Sequence, residues 1–153
     1  MTEPPNLAAF FDRDRFATGN GMRVVEVRTG YARAEMIVEP RHLNTVGILQ
    51  GGALFTLADL AFAAASNSHG VVALGCHADV TYFKAITEGT ITAVAEEISR
   101  TRRLSTCLVH VRDERAELVA LFKGLAYIKG TALPLHQSGP SPGAPHRPPG
   151  EPE

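Results

Sequence analysis

The chain has almost no net charge. Fifteen Lys and Arg stand against sixteen Asp and Glu, a formal balance of −1 over 153 residues. A general nucleic-acid binder carries a basic excess, so that class of partner is set aside. Cysteine is scarce. Cys76 and Cys107 are the two present, too few for a disulfide framework, and a reduced, cytoplasmic setting fits them. The N-terminus, MTEPPNLAAFFDRDRF, has no basic stretch leading into an apolar one and so shows no secretory signal. The longest apolar run, residues 53–65, is interrupted by Asp59 and is too short to span a bilayer. No membrane partner is expected. There is no glycine-rich phosphate loop and no dinucleotide fingerprint. His69, His77 and His110 lack the spacing of a metal set, so neither a metal nor a resident cofactor is expected. Neither cysteine has the surroundings of an activated nucleophile.

Hydrophobic residues make up 44% of the chain and charged residues 20%, the composition of one globular domain with a real core. That domain is read over residues 1–133. Residues 134–153 hold seven of the ten prolines and cannot bury enough apolar surface to order themselves. The spacing of Leu7, Phe10 and Phe11 fits one face of a short helix over about residues 6–17. MRVVEVRTG and YARAEMIVEP read as two strands with a turn at Gly30. Residues 52–68 read as a helix that is apolar nearly all round, hence buried on most sides. Four more strand-like runs follow, VVALGCHADVTYFKA, GTITAVAEEISR, RLSTCLVHVRDE and ELVALFKGLAYIKG. Short turns between them imply antiparallel pairing. The expectation is an α+β fold in which an antiparallel sheet wraps one long central helix.

Asp59 is the anomaly in that helix. A buried charge without a partner costs several kcal/mol, so an ionised buried Asp must be paired or hydrogen-bonded. Three features point beyond a structural role. Gly51 and Gly52 stand at the helix start, where backbone N–H groups are unpaired and carry the positive end of the dipole. Glycine lets a ligand come close, which is how an oxyanion hole is made. Asn44, in a polar loop with His42 and Gln50, offers an amide able to orient a carbonyl or a water. Finally, Asp59 is eight residues beyond Gly51, roughly 12 Å along a helix. One helix cannot bring its own Asp59 to a carbonyl held at its own N-terminus. A two-fold dimer can, with Gly51 of one chain facing Asp59 of the other and two equivalent sites per interface.

Taken whole, HLNTVGILQGGALFTLADLAFAAASNSHG resembles the PaaI-like acyl-CoA thioesterases of the hotdog fold. Their motif runs roughly H-x-N-x-x-G-x-x-H-G-G-x-x-x-x-L-x-D-x-A, often followed by N-S-x-G. His42, Asn44, Gly47, Gly51, Gly52, Leu57, Asp59, Ala61, Asn67, Ser68 and Gly70 match it. A looser likeness extends over residues 6–130. The resemblance implies hydrolysis of an acyl-CoA to a free acid and CoA, the CoA being part of the substrate. It also implies dimers, usually paired into tetramers. Gly51 would donate its N–H to the thioester oxygen, Asp59 would be nucleophile or general base, and Asn44 would place substrate or water. One position departs: the family has His immediately before Gly-Gly, and this chain has Gln50. The backbone donor survives that change, whereas a group titrating near pH 7 does not.

For the substrate, Gln50 and Gly52 are expected near the thioester. Phe55, Phe62, Tyr82 and Phe83 are expected to line the acyl group. Lys84, Arg100, Arg102 and Arg103 are candidates for the CoA phosphates, since guanidinium suits phosphate oxygens. An aryl or phenylacetyl-type acyl group is the family-based expectation. The rival readings are a non-catalytic acyl-CoA or small-ligand binder on the same fold, which the Gln50 departure favours, and an enoyl-thioester hydratase. The latter usually wants an Asp–His pair.

Overall fold

The computed structural model describes residues 6–135, so the proline-rich tail from residue 136 onward lies outside the described residues. In chain order the elements are α1 (Leu7–Phe11), α2 (Arg15–Gly19), β1 (Arg23–Arg28), β2 (Tyr31–Ile37), α3 (Gly51–Asn67), β3 (Val71–Tyr82), β4 (Thr90–Arg100), β5 (Leu104–Arg112) and β6 (Leu118–Ala132). The six strands form one sheet in the order β1-β2-β4-β5-β6-β3, and every neighbouring pair is antiparallel. The sheet curls around α3.

Where one N-terminal helix was expected there are two. Asp14 interrupts the run: its side chain accepts from the N–H of Ala17 at 2.9 Å and caps α2, the preferred role of Asp at a helix start. The strand order also departs from chain order. β3 and β4 are consecutive yet not paired, because β3 crosses to the far edge and pairs with β6, from Val71 opposite Ala132 to Tyr82 opposite Ala120. The crossover, residues 83–89, passes under the start of α3, where Ile86 accepts the N–H of Leu49 at 2.7 Å.

The core lies between helix and sheet. Alternation along the strands turns Ala32, Ala34 and Met36 of β2 inward, then Ile91, Ala93 and Ala95 of β4, then Cys107, Val109 and Val111 of β5. Small side chains there let α3 lie close, and Leu57, Ala58, Ala61, Ala64 and Ala65 of α3 are fully buried against them. Each buried leucine contributes about 1.5–3 kcal/mol by leaving water. Phe62 is wedged most tightly. A Cβ on Gly124 would come within 2.7 Å of its ring, and one on Gly75 within 3.1 Å. Glycine at 124 is what leaves room for the ring, and at 75 a side chain would force it to give by a few tenths of an ångström.

The C-terminal end of α3 is latched by polar groups. Asn67 donates from Nδ2 to the carbonyls of Ala63 and Ala73, and its Oδ1 accepts from the N–H of Ala73 at 2.8 Å. The Ser68 hydroxyl accepts from the N–H of Gly30 at 2.7 Å. These two motif residues therefore tie the helix end to β3 and to the β1–β2 turn.

Candidate active site

The site begins at the N-terminus of α3. Gln50 is the N-cap, and its Oε1 accepts from the N–H groups of Gly52 and Ala53. The N–H of Gly51 has no hydrogen-bond partner among the described residues. One orphan donor of the helix terminus is thus left open while its neighbours are satisfied. The Gly51 carbonyl accepts from the hydroxyl of Tyr82 at 2.9 Å. The position usually held by histidine in the motif thus serves here as a cap.

Asn44 lies beside that donor. Its Oδ1 accepts from the N–H groups of Val46 (3.0 Å) and Ile48 (3.2 Å). The loop takes the carbonyl oxygen, and the NH2 group has no hydrogen-bond partner among the described residues. Asn44, Gly51, Tyr82, Phe83 and Lys84 line one cavity of about 360 Å³. His42, by contrast, is buried structure. Its Nδ1 accepts from the N–H of Glu39 at 2.9 Å, so the proton is on Nε2, which donates to the carbonyl of Asn20 at 2.8 Å.

As its composition predicts, α3 is buried on most sides, with ten of its seventeen residues buried, and Asp59 lies on the side left open. Phe55 packs edge to face on Phe122 of the core, whereas Gly52, Thr56, Asp59 and Ala63 form a partly open stripe, with Gly52 and Asp59 exposed. Asp59 sits on it two turns from the helix start. Its carboxylate has no hydrogen-bond partner among the described residues. Although the residue is exposed in the single chain, the surrounding atoms partly desolvate its carboxyl, which is the larger cause of its raised pKa, and the negative charge of Asp14 adds to it. It belongs to a different cavity from Gly51, one of about 510 Å³ lined also by Phe10, Phe11, Phe62 and Leu133. Within one chain, then, donor and carboxylate do not share a cavity, as the spacing along the helix requires.

A family model described as the thioesterase superfamily matches residues 46–120, the span that carries Gly51, Asp59 and Tyr82. A relative from Archaeoglobus fulgidus is 44% identical over 106 residues, covering 69% of each chain. The acyl-coenzyme A thioesterase PaaI of Escherichia coli is 30% identical over 128 residues, covering 82% of this chain and 91% of that one. The chain belongs to the thioesterase superfamily. Among solved structures, PaaI from the phenylacetic acid degradation operon of E. coli superposes with a TM-score of 0.79 at 28% identity, covering 83% of this chain and 93% of that chain. A mutant of the phenylacetic acid degradation protein PaaI of Thermus thermophilus gives 0.71 at 36% identity, covering 74% and 98%. The fold is the hotdog fold.

In this thioesterase the expected phosphate ligands divide. Lys84 is engaged by two carboxylates, Asp113 at 2.6 Å and Glu117, which hold its ammonium charged and neutralised. Arg100 is likewise structural. It donates to Glu97 at 2.9 Å and to the carbonyl of Ser66 at 3.2 Å. Lys84 finds its counter-charges on the β5–β6 turn, and Arg100 finds its own three residues back on the same strand. Arg102 is exposed, and Arg103 donates only to the uncharged hydroxyl of Tyr127 at 2.7 Å. Both lie in the β4–β5 turn with no carboxylate against them among the described residues.

The expected acyl lining divides too. Phe55 lines a third cavity, of about 520 Å³, with Gln50 and Gly52. Phe62 borders the Asp59 cavity but is 2% exposed and belongs to the core. Tyr82 and Phe83 line the Gly51 cavity. Phe10, Phe11, Asp14 and Leu133 had no place in the sequence-based site. The helical spacing of the phenylalanines signalled a buried face but not which cavity it closes. Burial pushes the Cys107 thiol up to about 11, so it is protonated at neutral pH and no nucleophile.

Proposed function

We propose that the protein hydrolyses acyl-CoA thioesters, with an aryl or phenylacetyl-type acyl group as the preferred class. The observation that carries this is the open Gly51 N–H at the start of α3. The thioester oxygen accepts from it, and negative charge developing there is stabilised by the donor and the helix dipole. The Asn44 amide orients the carbonyl or a water. Asp59 of the facing subunit attacks the carbonyl carbon or removes a proton from water. By the base route the water oxygen attacks the carbon, the C–S bond breaks to give the free acid, and the proton taken by Asp59 passes to the CoA sulfur. By the direct route the C–S bond breaks to leave a mixed anhydride on Asp59. A water hydrolyses this to the free acid and the carboxylate, its proton going to the CoA thiolate.

Two subunits pair through β3 in this reading. It is an edge strand of twelve residues with unpaired backbone groups on its outer side, a template for another strand. Dimers pair again through the outer sheet face, where Ile98, Leu104 and Tyr127 are 58%, 39% and 38% exposed. Arg102 and Arg103 contact CoA phosphates, and the reaction runs in the cytoplasm.

Neither rival gains support. The binder reading leaned on Gln50, but its side chain caps Gly52 and Ala53 and leaves the Gly51 donor open. The hydratase reading needs a histidine beside Asp59, and among the described residues none lines that cavity. A panel of aryl and fatty acyl-CoA esters with free-thiol detection tests the proposal. Thiol release on aryl esters, lost in Asp59→Ala, is expected. Binding without turnover, or a hydrated thioester as product, contradicts it.

A further inference from the structure

Two segments from opposite ends of the fold meet over the cavity beside Asp59. Phe10 and Phe11 of α1 stand edge to face, their ring centres 5.2 Å apart. Phe11 packs on the core. The Arg13 guanidinium lies 5.2 Å over the Phe10 ring and donates to the carbonyl of Pro134 at 3.3 Å. Leu133 is pinned in turn, its N–H donating to the carbonyl of Gly70 at 2.9 Å. The residues just after β6 are thus tied to the N-terminal helix across the cavity mouth.

The cavity suits an apolar guest. Among the described residues, Asp59 is its one charged lining residue. The polar groups at its far end are already engaged: Ser66 Oγ donates to the Ala63 carbonyl at 3.3 Å, and the Asn67 amide is taken by Ala63 and Ala73. At about 510 Å³ it falls in the range of small-molecule sites, ~300–1,000 Å³. From Asp59 to Asn67 is eight residues of α3, roughly 12 Å, and the α1–Leu133 wall bounds the space.

We propose that this wall is the specificity element for the acyl group, with Phe11 and Leu133 closing the pocket to long unbranched chains and leaving room for compact aromatic ones. The inference rests on the thioesterase reading of Asp59. A thioester carbonyl at that carboxylate directs its acyl group into this cavity. Because α1 has no fully buried residue, cutting its side chains back removes contacts at the edge of the core rather than inside it.

Phe11→Ala and Leu133→Ala enlarge the pocket, and Leu133→Phe narrows it. In each, kcat/KM is measured for phenylacetyl-CoA and dodecanoyl-CoA, alongside calorimetric binding of their non-hydrolysable thioether analogues. The enlarged variants should raise the dodecanoyl-to-phenylacetyl ratio about tenfold or more, and Leu133→Phe should lower it, in turnover and binding alike. Ratios unchanged in all three overturn the assignment. If the wild type binds both analogues but turns over neither ester, the hydrolytic reading fails. The wall is then judged on binding alone, where a shifted ratio supports it and an unshifted one overturns it.

Discussion

The hydroxyl of Tyr82 donates to the carbonyl of Gly51 at 2.9 Å, and the tyrosine ring lies 3.2 Å from where a Cβ on residue 51 would stand. The last residue of β3 thereby holds the first residue of α3. Gly51→Ala presses on the ring, which must give by a few tenths of an ångström, and the strained contact shifts the donor. We expect kcat on the best ester to fall at least tenfold with the fold intact by circular dichroism. Tyr82→Phe removes only the hydrogen bond, and a loss of about 1 kcal/mol in urea unfolding is expected. A Gly51→Ala enzyme with wild-type kcat would show that the backbone there has no catalytic part.

Asp59 titrates above an ordinary aspartate, because of partial desolvation first and Asp14 second. The acidic limb of kcat/KM against pH should lie correspondingly high, and Asp14→Asn should move it down without abolishing activity. The sign for stability follows. A carboxyl whose folded pKa is raised holds its proton more tightly when folded, so stability falls as pH climbs through its titration range. Asp59→Asn should therefore be more stable than wild type at pH 7 while losing about a thousandfold or more in kcat. A less stable variant would argue for a structural role.

Glu97 behaves the opposite way. Its side chain is 7% exposed and accepts from His69, Arg100 and Ser105. Burial alone would raise its pKa, but these partners hold it below the ordinary value of 4.5. Its contribution is full above that value and is lost as pH falls through the depressed pKa. Glu97→Gln should cost about 3 kcal/mol at pH 7, with the gap to wild type closing in acid. A constant difference from pH 7 to pH 3 would contradict this.

Phe62 occupies the space a side chain at residue 124 would need. Gly124→Ala should destabilise by about 1–3 kcal/mol through overpacking, seen as a lower melting temperature. A rise in melting temperature would mean that the ring moves freely.

Local signals made much of this legible. Strand-like runs bounded by turn signals marked all six strands, and the Ala- and Leu-rich run marked α3. What stayed hidden was non-local. Nothing in the run from Val71 to Tyr82 says that its partner is β6 rather than the adjacent β4, because pairing across the sheet is decided by packing on α3. Asp14 split the N-terminal helix through a cap whose competition with helix continuation is hard to weigh from sequence. Lys84 looked like a free phosphate ligand because Asp113 and Glu117 lie far off in sequence, on the β5–β6 turn. Arg100 did because residues three apart on a regular strand face opposite sides, and only the register shift between Glu97 and Ser99 interrupts that alternation. Gly51 and Asp59 were readable as a pair that one helix cannot unite, since helical rise alone separates them.

That separation gives the most direct measurement. Asp59→Ala and Asn44→Ala chains, each inactive alone, are co-expressed with different tags, and the mixed dimers are isolated. If each site takes Asn44 and Gly51 from one subunit and Asp59 from the other, a mixed dimer holds one intact site and one doubly damaged site, and activity should return to about half of wild type. If mixed dimers stay as inactive as the parents, the site is not shared between subunits and the account of Asp59 is wrong.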